Sequence, residues 1–309
     1  MDRNVYEELS GNVRLAPLFN KNMSPSINII ESIDEEVEIF TFFLHSKNFP
    51  QHRNLIFTAY PELRGRLLNL DEKEEREELR KFLMEVRNKF QSEIQSSVEY
   101  IRKEVELKGL RSLNILGELM NYKWPASDKS KYFLIPSIYP NCPFNKNKFF
   151  YSIMNVRKGK VIYDDVVAVA MHEISHFILF DILKGKNIIL KPKMLYFIKE
   201  IIAPIIVYQD DFSGIFKKQI VGNTNVLEIF FSIDDKVIKA FDYFNLKYIE
   251  NRNSGKDFRV FLDYMIKICS PIEKEIEAKH DFWNKYGNNI KNEQELMKTF
   301  REPITLSPK

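Results

Sequence analysis

The chain has 309 residues, 44% of them hydrophobic and 29% charged, with a formal net charge of +3. That is enough apolar material for one large or two modest cores, and it excludes a disordered chain. The small charge, with lysines scattered apart from runs such as Lys184 to Lys193 and Lys217-Lys218, excludes an extended phosphate-binding surface and predicts no nucleic-acid partner.

Met1 to Ser26 has no clear periodicity and includes Pro17 and Pro25; it opens on no apolar segment of signal-peptide type. Ile29 to Leu44 is apolar with acidic interruptions and predicts a helix, and Asn48 to Arg66, with Pro50 and Pro61, predicts loop with short helix. Asp71 followed by Glu74 is a capping-box start. From there Leu79, Phe82, Leu83, Val86, Phe90, Ile94, Val98, Ile101 and Val105 recur at helical steps, so a long packing helix should run to Gly109 and a further one from Leu110 to Met120.

Aromatic and β-branched residues then take over. Tyr132 to Tyr139 and Lys148 to Met154 read as strands, with Lys160 to Tyr163 as a third short one. Pro136 and Pro140 fit an edge better than a central strand. Val161 to Leu183 is apolar but carries Asp164, Asp165, His172, Glu173, His176 and Asp181, too many ionisable groups for a lipid-facing span; a buried helix capped by Asp164 or Asp165 is predicted. Lys184-Gly185-Lys186-Asn187 should stop it, and Lys193 to Pro204 forms a second helix limited or kinked by Pro204. Ile233 to Ile249, Phe258 to Ile268 and Pro271 to Tyr286 read as helices. There is no glycine-rich phosphate loop, internal repeat or G-x-S-x-G. Cys142 and Cys269 stand far apart outside any C-x-x-C, so free thiols in a reducing cytoplasm are the expectation.

The chemistry concentrates in His172-Glu173-Ile174-Ser175-His176. On a helix the two histidines lie about 40° apart around the axis and about 6 Å apart along it, so both imidazoles reach one Zn²⁺. Glu173 stands beside the metal, where a carboxylate accepts a proton from metal-activated water. The bland alternative is a satisfied core histidine pair. A third ligand is needed, and Glu200 on the second helix is the leading candidate; Asp181, Glu228 and His280 are rivals. Asp181 follows His176 by about 140° of helical rotation and so points elsewhere. Asp211 or Glu228 could instead orient a ligand imidazole.

His172-Glu173-x-x-His176 with a downstream Glu200 resembles the gluzincins, the thermolysin-like zinc metallopeptidases. The resemblance covers His172 to Pro204. It implies His172, His176 and Glu200 as zinc ligands, Glu173 as general base, and peptide or protein as substrate. By it the fold is α+β and predominantly helical, a zincin-like catalytic domain over 121–309 with a small sheet before the histidine helix, preceded by a helical region over 1–120. In that family an edge strand pairs with extended substrate. Leu179 and Ile182 stand where a metzincin carries Gly and His, so that pattern is absent, and the Lys199-Glu200 helix lacks the flanking Asn or Asp of the best-known gluzincins. A late histidine, His280, or Tyr286 is the candidate for holding an oxyanion. The runner-up is a non-catalytic zincin-like scaffold or regulatory protein that binds a partner through its N-terminal helices.

Overall fold

The computed structural model describes residues 24–47, 50–126, 130–217, 222–290 and 294–306; the expectation of an aperiodic N-terminus falls mostly outside them. The fold is mixed α+β and predominantly helical. Two compact units divide it, one built from Pro25–Leu110 and Lys131–Ala170, the other chiefly from Arg111–Ser130 and Met171–Lys309.

The first unit holds a four-stranded sheet in the order β1-β2-β4-β3, with β1 Ser26–Ile29, β2 Lys131–Ser137, β3 Phe144–Asn145 and β4 Lys148–Ser152. β1 runs parallel to β2, Ser26 opposite Lys131, which joins the earliest described residues to the strands after 130. β1 is four residues long, too short to announce itself beside the helix that follows. β2 is an inner strand despite Pro136. β1 reaches only as far as Leu134, so the imide lies where no ladder donor is needed on that side.

Helix α1 (Ile33–His45) starts on Ser32, whose hydroxyl accepts from the Glu35 N–H. It is followed by α2 (Pro50–Ala59), α3 (Pro61–Arg66) and α4 (Glu72–Lys89); Asp71 and Glu74 form the capping box read from the sequence. The long helix breaks at Phe90, and α5 (Gln91–Leu119) runs straight through Gly109. A single glycine costs a helix only about 1 kcal/mol, which the long packed helix absorbs. α5 instead ends at Asn121, in left-handed conformation with φ 47°. Strands β5 (Val156–Arg157) and β6 (Lys160–Val161) form a hairpin around Lys158-Gly159, both at positive φ.

Glu36 is a wholly buried acid of this unit. One of its oxygens accepts from Arg87 Nε at 2.6 Å and the other from the Ile138 N–H at 2.8 Å. Beside it, Tyr60 donates to the Ile138 carbonyl at 2.6 Å, and His52 Nδ1 meets the Tyr139 hydroxyl at 2.7 Å.

The second unit is helical around a three-stranded sheet in the order β8-β7-β9. Helix α6 (Val166–Gly185) begins where Asp165 accepts from the Val167 and Ala168 N–H groups, and it stops as predicted, with Asn187 left-handed at φ 53°. It is the one described helix long and apolar enough to cross a membrane, and 83% of that stretch is buried inside the fold. Helix α7 (Pro192–Val207) carries Pro204 within it and ends one turn later. After α8 (Thr224–Leu227), residues read as helix from Ile233 prove to be a hairpin. β7 (Phe230–Ile233) and β8 (Lys236–Lys239) turn through Asp234-Asp235, at φ 47° and 61°. Helices α9 (Ala240–Asn253), α10 (Phe258–Cys269), α11 (Glu273–Ile290) and α12 (Gln294–Phe300) lead to β9 (Ile304–Thr305), which returns parallel to β7. Phe197, Phe231, Phe244, Tyr248 and Phe258 fill the core, with the Tyr248 hydroxyl donating to the Leu119 carbonyl.

Candidate metal centre

Helix α6 is apolar on nearly every side, so the polar groups it carries inward need partners. His172, Glu173 and His176 are all buried, and one donor atom from each lies within 4.8 Å of the other two. One helical turn sets the imidazoles edge to face, their ring centroids 4.7 Å apart.

The second helix supplies the missing face. Met194, Phe197, Ile198, Ile201, Ile202 and Ile205 bury α7, and Glu200 comes inward with them, 3% exposed. Its two oxygens face the two histidines separately. Oε2 stands 3.6 Å from His172 Nε2, and Oε1 stands 3.6 Å from His176 Nε2. Donors bound to a tetrahedral Zn²⁺ at about 2.0–2.2 Å lie roughly 3.3–3.6 Å from one another. Each imidazole nitrogen therefore has one carboxylate oxygen at that spacing, while the group whose donor atoms all lie within 4.8 Å of one another is His172, Glu173 and His176; imidazole and carboxylate donors suit several first-row divalent ions. At 3.6 Å these contacts are too long to be hydrogen bonds.

Electrostatics treat the two imidazoles differently. Burial, with the nearby Lys199 ammonium, holds His176 well below the usual imidazole range, which is the neutral form a metal takes. Burial pushes His172 down as well, but the facing carboxylates of Glu200 and Glu173 outweigh it and raise the group. Burial would raise Glu200, yet the Lys199 ammonium and the two imidazoles hold it well below the usual carboxylate range. Glu173 is the exception. Burial pushes its carboxyl up to about 7, against the opposing pull of His172 and Lys199.

Two further residues handle Glu200. Lys199, itself buried, donates to Oε1, and Asn223 Nδ2 donates to Oε2 at 2.8 Å. The sequence reading passed over both. A Lys-Glu pair inside Tyr196-Phe197-Ile198-Lys199-Glu200-Ile201-Ile202 was the available signal for the first, since an apolar turn seldom buries adjacent charges unless they meet each other. Asn223 sits in a loop with no local pattern to mark it.

The rival ligands are engaged elsewhere. Asp181 accepts from the Tyr122 hydroxyl at 2.7 Å, Glu228 is held by Lys239 and Arg301, and Asp211 is gripped by both terminal nitrogens of Arg252. His280 on α11 contacts Asn284 and Asp281, and its ring packs edge-on against Tyr196 at 5.1 Å. It lies outside the group formed by His172, Glu173 and His176. Tyr286 packs on Phe282. No family model, no curated protein and no solved structure matches the chain.

Proposed function

We propose that this protein is a zinc-dependent peptidase of gluzincin type with a zincin-like catalytic unit. The observation that carries the reading is the paired 3.6 Å approach of the Glu200 oxygens to His172 Nε2 and His176 Nε2. Two histidines one turn apart are common enough in helices. A buried carboxylate from another helix facing both at 3.6 Å supports reading the three as a cation's ligands.

His172, His176 and Glu200 would hold the ion. When bound, the ion supplies a Lewis acid that polarises a carbonyl and acidifies a water molecule. Glu173 does the proton work: its carboxyl, poised near neutrality by burial, accepts a proton from water as the oxygen adds to the carbonyl carbon. It then returns that proton to the amine nitrogen as the carbon–nitrogen bond breaks. Asn223 keeps Glu200 oriented while this happens. The substrate class in this proposal is a peptide or an unfolded protein segment.

The test is zinc per chain by elemental analysis, on the wild type and on His172→Ala, together with hydrolysis of a peptide library. About one zinc, lost in the variant, is expected. Glu173→Gln should keep the zinc and lose at least about a hundredfold in rate, within the range of a general base. Zinc absent after reconstitution, or hydrolysis unchanged in Glu173→Gln, would overturn the proposal.

A further inference from the structure

Glu200 presents a charge problem that the ligand geometry does not solve. Glu200 is 3% exposed, with an ammonium on one oxygen and an imidazole facing each, and a carboxylate removed from water calls for paired charge of this kind. The residue that meets this need is its neighbour in sequence. Lys199 is 5% exposed; its side chain turns back to donate to Glu200 Oε1, the same oxygen that faces His176 Nε2. The ammonium also lies 5.1 Å from the centre of the Tyr196 ring, one turn earlier on α7. That ring face offers the charge a second resting place on the same long, flexible stem. Asn223 approaches the other oxygen as a neutral donor and brings no charge.

We propose that Lys199 is a positioning residue that stands in for the metal: its ammonium balances Glu200 when no cation is held, keeping the three ligands assembled, and yields that role when the cation binds. This inference rests on the metal-centre reading above. Its physical content is a competition. One carboxylate oxygen serves either the ammonium or the doubly charged ion, and two cations sharing it repel each other. Lys199 therefore stabilises the metal-free protein at the expense of metal affinity. Metal can then load into a formed site without first folding it, unlike small domains whose fold depends on their zinc.

The experiment compares wild type, Lys199→Met and Lys199→Arg, each with chelator and with saturating zinc, measuring thermal unfolding and zinc affinity by competition with a chromogenic chelator. Without metal, Lys199→Met should melt about 6 °C or more below wild type, because it strands a buried carboxylate. With zinc it should melt within about 2 °C of wild type, and its zinc affinity should rise by roughly tenfold or more. Lys199→Arg keeps the charge and should follow wild type in both states. A Lys199→Met chain that folds only with zinc is the same result in its extreme form. Equal destabilisation in both states, failure to fold in either, or weaker zinc binding would overturn the stand-in role while leaving the metal centre intact. A wild type that takes no zinc at all would overturn the metal-centre reading itself.

Discussion

Glu36 in the first unit and Glu200 in the second are both carboxylates removed from water, and they are handled differently. Each Glu36 oxygen is closed by a short, direct donor, Arg87 Nε on one side and the Ile138 N–H on the other. Glu200 also has a donor on each oxygen, but each oxygen in addition faces an imidazole nitrogen at 3.6 Å, too far to bond and close enough to share a guest. The first arrangement ties a helix to a strand end and leaves nothing to be added. The second is the arrangement we propose to hold a cation. Burial of an acid therefore does not by itself mark a site; the groups gathered around it carry the distinction.

The contrast can be broken at either end. Glu36→Ala should be the most damaging to the fold, lowering stability by about 3–5 kcal/mol because Arg87 and the Ile138 N–H lose their partner, with zinc per chain unchanged in whatever remains folded. Denaturant titration beside elemental analysis reads both; lost zinc in a folded variant would merge the two kinds of acid. Glu200→Gln keeps the shape and removes the charge. Its zinc affinity should fall by more than the roughly 10–100-fold typical of a supporting residue, and unchanged affinity would make Glu200 a second structural acid.

Acid offers a milder probe of the first unit. Burial pushes the His52 imidazole down to about 4, against an ordinary value of 6.5. The unfolded chain binds the proton first, so stability is full above about pH 6.5 and declines as pH falls toward 4. The loss should be about 1–2 kcal/mol, discounted because the ring is only half-buried, and His52→Gln should flatten that part of the pH profile. A slope unchanged by the substitution would remove His52 as its source. The smallest expected effect is a gain. A methyl group at Gly109 would make ordinary contacts, 3.5 Å to Val105 and 3.7 Å to Ile27, so Gly109→Ala should add about 0.5–1 kcal/mol without altering zinc content. A loss of stability there would mean that α5 needs the close approach.

What could be read in advance follows the range of the interactions. His172, Glu173 and His176 lie within one helical turn, so their spacing alone puts them together. Glu200 needed only the further inference of a second helix after a loop. Asp71 with Glu74, Asp165 and the Gly185 stop were legible because caps are local hydrogen bonds. The hairpin at Asp234-Asp235 was not read, although Phe-Phe-Ser-Ile and Lys-Val-Ile-Lys flank a two-residue turn that needs positive φ; aspartate tolerates that conformation but advertises it less than the glycine in Lys158-Gly159. Residues joined only by the folded chain stayed hidden: β1 beside β2, Glu36 beneath Ile138, and Asn223 against Glu200.

The glycine just before Asn223 has a consequence for anyone wishing to modify this protein. Gly222 is exposed, yet a Cβ there would stand 3.3 Å from Leu227 Cδ1 and 3.4 Å from Pro204 Cγ. Alanine there would press on the Leu227 and Pro204 side chains, which must give by a few tenths of an ångström, one residue before the side chain that donates to the buried carboxylate at 2.8 Å. Surface position would recommend this loop for an epitope tag, a fluorescent label or an inserted domain. Its clearance argues the reverse, because a change made for convenience at the surface stands one residue from the donor that holds buried Glu200.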